Sequence, residues 1–348
     1  MNDYIIFGSD ISAFTRKLEA AFECYAVDFE IKGKTADVKE VLEKRAGTHQ
    51  IPVLRTPENW LLADTTPIMM LMDGRFPHRR LFPSGVNGVV VHILEELLDE
   101  WMARTMVHFR WHYDENTRFV ITKLTGKSIN IDTARQHELA QWGLRSCRAT
   151  GTESVVQQAY AEKEYFGIIA ALEEQLATTK YALGDRPTAV DAILMGTFRG
   201  HTNFDPIPDM ASYQRVNAWN SRNHRELFSG SPINAYEQPS PFVEHLLSLA
   251  REQYAPFILA NRQARLNGDK AFVVETYGEQ VSYLARAYPE RSRQLVVQRI
   301  HNELNAHERQ QILAWLKQRG LYDCFAPPVS PKTLPSISLS PSRSSDSS

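Results

Sequence analysis

The stretch from His49 to Asp73, HQIPVLRTPENWLLADTTPIMMLMD, constrains the fold more than any other part of the chain. Two short apolar runs, 51–54 and 60–62, flank a polar spacer that carries a proline and two charged residues. Short apolar runs around such a spacer predict a tight β-hairpin. Pro52 has no N–H to give a ladder, so it belongs at an edge or at a strand's first residue, and Ile51-Pro52 is a candidate cis peptide. Asp64-Thr65-Thr66-Pro67 follows at once, ahead of another apolar run. Thr65 or Thr66 can cap a helix with Pro67 near its first position and Asp64 close to its positive end. A strand edge beside a helix N-terminus can hold an anionic or zwitterionic ligand.

A chain of 348 residues predicts about two domains with a substantial core. The net charge of −2 argues against a nucleic-acid partner. No apolar run approaches the ~20 residues that span a bilayer. The start, MNDYIIFGSD, lacks the pattern of a signal peptide. Cys24, Cys147 and Cys324 are far apart, with no metal-binding or Cys-x-x-Cys spacing. An odd cysteine count fits a reducing compartment, so the expected location is cytoplasmic, with no membrane partner.

Residues 4–7 read as a strand broken by Gly8-Ser9-Asp10, and 12–22 as a helix with Phe14, Leu18, Ala21 and Phe22 on one face. Residues 25–31 read as a second strand. Residues 38–45 read as a helix ended by Gly47. After the hairpin, 67–72 reads as a helix, so the order is β-α-β-α-β-β-α, a mixed sheet covered by helices. Residues 75–88 are rich in proline, glycine and basic side chains and read as a linker. Beyond them Val90, Ile93, Leu94, Leu97, Leu98, Trp101, Met102 and Thr105 recur at helical spacing, which predicts one long helix to about Trp111 or beyond. Helices are also expected over 133–147 and 153–177. A further helix starts at Thr188, where Asp191 completes a capping-box-like pair. From Pro241 on, the expectation is helices over 242–253 and 256–267, a hairpin around Tyr277-Gly278, and helices over 290–302 and 307–319. Residues 326–348 are Pro/Ser-rich and read as a disordered tail.

Ile51-Pro52-Val53-Leu54 followed by Asp64-Thr65-Thr66-Pro67-Ile68 resembles the glutathione-binding half of the glutathione S-transferase family. Gly184-Asp185-Arg186-Pro187-Thr188-Ala189-Val190-Asp191 resembles that family's second-domain signature, G-D-x-P-S/T-x-x-D. The resemblance implies an α/β thioredoxin-like N-terminal domain, 1–75, a linker, 76–88, and an all-α bundle, 89–240. An α+β extension, 241–325, carries no family motif, and the tail, 326–348, follows it. It also implies glutathione as co-substrate, a small electrophile as second substrate, and a homodimer. A glutathione-binding scaffold without turnover is the alternative, as is a glutathione-dependent isomerase or dehalogenase. By the same resemblance, Ile51 and Pro52 hold the cysteinyl part of glutathione, and Asp64 and Thr65 its γ-glutamyl end. Gln50 is placed for the glycine carboxylate.

Glutathione chemistry needs a thiolate, and a free thiol titrates near about 8.5. A hydrogen-bond donor at a helix N-terminus lowers that value by favouring the charged form. Ser12, Arg16 and Leu18 fit the spacing of the serine-type relatives, which makes Ser12 the expected catalytic donor and Ser9 the runner-up. Ser12-Ala13-Phe14 stands where redox relatives carry Cys-Pro-Phe, and Ala13 departs from their proline. The second substrate is expected between the domains, against Trp101, His108 and Trp111. No metal is expected, because His108 and His112 lack a third convergent ligand.

Overall fold

The computed structural model describes residues 3–226, 233 and 235–326. Its first unit runs β1 (Tyr4–Phe7), α1 (Ala13–Tyr25), β2 (Phe29–Lys32), α2 (Ala36–Ala46), β3 (Val53–Arg55), β4 (Leu61–Ala63) and α3 (Thr65–Arg75). The four strands form one sheet in the order β2-β1-β3-β4. Strand β1 is parallel to β2 and antiparallel to β3, and β3 is antiparallel to β4. This is the thioredoxin-like arrangement. The register Val53↔Ala63, Leu54↔Leu62, Arg55↔Leu61 makes the expected hairpin, and the Ile51-Pro52 bond is cis.

Two boundaries differ from expectation. Tyr25 belongs to α1 and not to a strand. Ala26 closes the helix in the left-handed region (φ 56°), and the buried Tyr25 hydroxyl donates to Met69 O and Asp73 Oδ1. Helix α3 starts at Thr65 with Asp64 as its cap, so Pro67 lies inside the first turn.

The helical unit contains α4 (Gly85–Trp101), α5 (Ala103–His112), α6 (Asp114–Thr125), α7 (Ile131–Ala134), α8 (Glu138–Ala149), α9 (Val155–Gln175), α10 (Ala189–Thr197) and α11 (Gln214–Asn220). The long helix expected to pass Trp111 is divided at Met102. It ends at Tyr113, whose backbone is extended, and α6 was not anticipated. The segment 133–147 is also divided, because His137 caps α8 by accepting from the Leu139 N–H at 3.2 Å. The expected linker is partly structured. Helix α4 starts inside it, and the Leu81 and Phe82 N–H groups donate to the Asp73 carboxylate at 2.8 and 2.9 Å.

The extension holds α12 (Pro241–Leu249), a π-helical turn (Ala250–Tyr254) and α13 (Ala255–Asn267) in continuous succession. Then come β5 (Ala271–Thr276), β6 (Glu279–Leu284), α14 (Ala287–Asn302), α15 (Ala306–Gln318) and α16 (Tyr322–Phe325). Tyr277 and Gly278 both take positive φ, as a two-residue hairpin turn requires. From residue 327 the expected tail lies outside the described residues. A single apolar cluster joins Ile6 and Leu54 of the sheet to Val90 and Leu94 of α4 and to Ile300 and Leu316 of the extension. Every residue of α4 from Gly88 to Trp101 is buried, so this helix is the axis on which the other parts pack.

The start of α10 is the other fixed point. Asp191 is fully buried and accepts from the Ala182 N–H (2.9 Å), the Thr188 N–H (2.8 Å) and the Thr188 hydroxyl (3.0 Å). Burial pushes its carboxyl up to about 6 against those hydrogen bonds. Helix α10 then lies so close to α1 that a Cβ on Gly196 would sit 2.6 Å from Ala13 O. Thr188→Ala is expected to cost about 1–2 kcal/mol, the scale of a lost cap. Asp191→Ala strands two buried N–H groups and is expected to cost about 2–4 kcal/mol. Urea unfolding midpoints at unchanged slope measure both.

Candidate functional site

Where the hairpin, the start of α3, the end of α4 and the extension meet, they enclose a cavity of about 380 Å³. Five residues singled out in the sequence line it together: Gln50, Ile51, Pro52, Asp64 and Thr65. Ile51 and Pro52 face this space just before β3 begins. Phe14 of α1, Asp99 and Glu100 of α4, and Ala103 add to the wall. The extension closes the remaining side with Arg286, Tyr288 and Ser292. A more open cavity of about 390 Å³, near Arg199 and Asn220, is lined by none of the expected site residues.

Asp64 is the most constrained member of the set. Its backbone has φ 76° and ψ 117°, a region that favours glycine. Holding a residue with a side chain there costs on the order of 1–3 kcal/mol, and such strain concentrates at functional sites. Its buried Oδ2 has no hydrogen-bond partner among the described residues. The nearest cation is Arg291 of α14, whose Nε lies 3.6 Å from that oxygen. Burial pushes the Asp64 carboxyl up to about 6, with Arg291 pulling the other way.

Behind Asp99 and Glu100 of the cavity wall lies a buried charged cluster. Lys17 of α1 is fully buried and donates to Glu95 Oε1 and Asp99 Oδ1 at 2.5 Å each, and to Thr66 Oγ1 at 3.1 Å. One residue on from each, Glu96 accepts from the Tyr254 hydroxyl at 2.6 Å, and Glu100 faces Arg286 at 3.4 Å. Burial pushes the Glu95 and Glu100 carboxyls up to about 7. Four acidic side chains of α4 are thus buried, and each faces a partner from another part of the chain.

Ser12 sits at the N-terminus of α1, half-buried, and its Oγ accepts from the Thr15 N–H at 3.3 Å. A hydroxyl that accepts there still has its own proton to give. Ser12 is not on the cavity wall, although Phe14, two residues on, is. Ser9 is also half-buried, with its hydroxyl toward Asp10 at 3.5 Å. The loop is fastened by Arg110, which sequence reading missed. That buried side chain donates to Ile11 O and Gly200 O at 2.6 Å each, and grips Asp205 with two bonds of 2.8 Å.

Trp101, His108 and Trp111 do not line the cavity. Trp101 packs against Phe257 of α13 and donates to Glu164 at 3.2 Å. His108 is bonded to Glu162 at 2.8 Å and to His112 at 2.9 Å. Trp111 lies against Gly143 and Trp142. These three side chains serve packing, and α4 presents Asp99 and Glu100 to the cavity instead. Among the described residues no group of three or more His, Cys, Asp or Glu side chains is placed to hold a metal ion. All three cysteines are buried, and burial raises their thiols, so none is poised as a thiolate. No described helix is long and apolar enough to cross a membrane.

Residues 143–225 match the family described as glutathione S-transferase, C-terminal domain. No curated protein matches the chain. Similar solved structures include a glutathione S-transferase from Rhodospirillum rubrum, 12% identical, covering 70% of this chain and 99% of that one, with a TM-score of 0.42. Another, from Methylobacterium radiotolerans in complex with glutathione sulfonate, is 18% identical, covering 66% and 97%, with a TM-score of 0.43. A third is the β-etherase LigF from Sphingobium sp., 15% identical, covering 65% and 97%, with a TM-score of 0.44. The matched segment contains the Thr188–Asp191 cap and follows a thioredoxin-like sheet, so over residues 143–225 this chain is similar to the C-terminal domain of glutathione S-transferases.

Proposed function

We propose that the chain binds glutathione in the cavity between the hairpin, α3, α4 and α14, and presents its thiol to a small electrophile at the N-terminus of α1. One observation carries this reading: Gln50, Ile51, Pro52, Asp64 and Thr65, chosen for the three parts of one tripeptide, line one cavity of suitable volume. In this arrangement Asp64 takes the ammonium group, the Ile51 backbone pairs with the cysteinyl unit, and Gln50 reaches the glycine carboxylate. Ser12 donates its free hydroxyl proton to the thiolate. The reading extends to glutathione as co-substrate, a homodimer and a cytoplasmic setting.

A second reading, a glutathione-binding protein without turnover, draws on Ser12 standing off the cavity wall with its oxygen already used as a helix cap. Ser12→Ala separates the two. If Ser12 donates to the thiolate, its loss raises the thiol pKa of bound glutathione by about one to two units, a donor to a charged partner being worth about 1.5–3 kcal/mol. Turnover with a generic electrophile at neutral pH falls by about tenfold to a hundredfold, with little change in Kd. Thiolate absorbance against pH measures the first effect and steady-state kinetics the second. If neither responds while Ser9→Ala changes both, the donor is Ser9. If wild-type protein binds glutathione and neither variant alters the thiol, the non-catalytic reading replaces the enzyme.

A further inference from the structure

The C-terminal extension does more than cover the cavity. Helix α14 lays one face along it, with Tyr288 and Ser292 on the wall. Arg291, between them in sequence, reaches Asp64. That pair is an unfinished ion pair. Its 3.6 Å separation is beyond hydrogen-bond length, and both Asp64 Oδ2 and Arg291 Nε are buried without a hydrogen-bond partner among the described residues. The same molecule builds a finished pair elsewhere, since Arg110 holds Asp205 through two bonds of 2.8 Å. Buried polar atoms are almost always satisfied, and an exception needs an explanation. The Asp64 side chain is only 10% exposed, so bulk water does not supply one.

We infer that Arg291 and Asp64 together clamp the α-amino-acid end of the ligand, with Asp64 taking its ammonium group and Arg291 its carboxylate. The inference rests on the glutathione reading above and adds a binding residue from the C-terminal extension. An α-amino acid carries both charges on one carbon, a few ångströms apart. A cation and an anion side by side, each with an unspent valence, present the complementary pattern. The guanidinium fork suits a carboxylate in particular. The N-terminus of α3, whose first residue is Thr65, adds positive potential on the same side. The extension thereby completes the site from the same chain, and a ligand lacking either charge leaves one member of the clamp unmatched.

Titration calorimetry on the full chain tests this with two probes: glutathione, and an analogue in which γ-aminobutyrate replaces the γ-glutamyl unit and so removes only the α-carboxylate. Wild-type protein is expected to bind glutathione about tenfold to a hundredfold more tightly than the analogue. Arg291→Ala is expected to lose that discrimination, weakening glutathione by the same factor and leaving the analogue unchanged. Arg291→Lys keeps the charge without the fork and should fall between. Wild-type discrimination needs no variant, so a folding defect in Arg291→Ala does not remove the test. The inference is overturned if wild-type protein binds both probes equally, or if Arg291→Ala still discriminates. Tighter glutathione binding by Arg291→Ala also overturns it, because Arg291 would then be a plug on Asp64. Failure of wild-type protein to bind glutathione at all would bring down both this inference and the glutathione reading, whereas the other outcomes sink this inference alone.

Discussion

Asp64→Asn is expected to weaken glutathione binding by about a hundredfold while leaving the fold intact. The substitution keeps the size of the side chain and a residue type that tolerates positive φ, so the backbone at φ 76° is not further strained. It removes only the charge. A hydrogen bond between charged partners is worth about 1.5–3 kcal/mol, which is the scale of the expected loss. Asp64→Ala would add backbone strain to the same loss and is the less clean test. The pH dependence gives an independent check. Burial holds the Asp64 carboxyl of the free protein at about 6, so below that pH the ligand's ammonium group meets a neutral acid. Affinity should therefore be flat above about pH 7 and fall by up to tenfold per pH unit below about 6. In Asp64→Asn this dependence should vanish. Calorimetry from about pH 5 to 8 on both proteins reads both effects. Unchanged affinity in the variant would remove this carboxylate from the site.

The parts of this fold that were legible in the sequence are those specified locally. The hairpin follows from two apolar runs and the punctuation around them. The α10 cap needs only Thr188 and Asp191, three positions apart. The β5–β6 hairpin follows from Tyr277-Gly278. What was not legible depends on partners far away in sequence. Glu95, Glu96, Asp99 and Glu100 stand among apolar residues on α4, and periodicity alone assigns such acids to a solvated face. They are buried because Lys17 lies 78 and 82 positions from Glu95 and Asp99, and Tyr254 lies 158 positions from Glu96. Four acids at 95, 96, 99 and 100 inside an otherwise apolar helix were the available signal. Trp101 illustrates the converse. Its aromatic character suggested a substrate wall, but Phe257, from a segment without a family motif, covers it. Tyr25 carries a strand-favouring ring, yet its hydroxyl is claimed by Asp73, 48 positions on. Arg291 was unreadable for the same reason as Trp101, since nothing local marks an arginine of α14 as a neighbour of Asp64.

The largest stability effect should come from Lys17→Met. Lys17 bridges Glu95 and Asp99, and both ends of these pairs are buried. Methionine has similar length and helix propensity, so α1 itself is little disturbed. Removing one partner of a buried ion pair leaves an uncompensated charge and typically costs about 3–5 kcal/mol. That corresponds to a fall in Tm of roughly 6–20 °C at the 2–4 °C per kcal/mol of domains of 150–250 residues. The sign of the pH dependence follows from Glu95. Burial holds its carboxyl at about 7, above the unfolded value near about 4.3, even with Lys17 pulling it down. A carboxyl raised on folding contributes stability that is complete below its unfolded value and is lost as pH rises through its folded value. Taking Lys17 away removes the lowering influence and moves that loss to higher pH. In the variant a neutral Glu95 is tolerated at about pH 5, whereas at about pH 8 folding must bury its charge without a cation. The deficit should therefore be smaller at the lower pH, where only the Asp99 pair is lost, and full at the higher one. Adding Glu95→Gln to Lys17→Met should recover part of the loss, because the amide needs no counter-charge. Thermal unfolding of wild type, single and double variants at the two pH values settles it. A deficit below about 1 kcal/mol, the scale of an exposed ion pair, would mean that water reaches these groups. A deficit independent of pH would mean that Glu95 is not the charge Lys17 compensates.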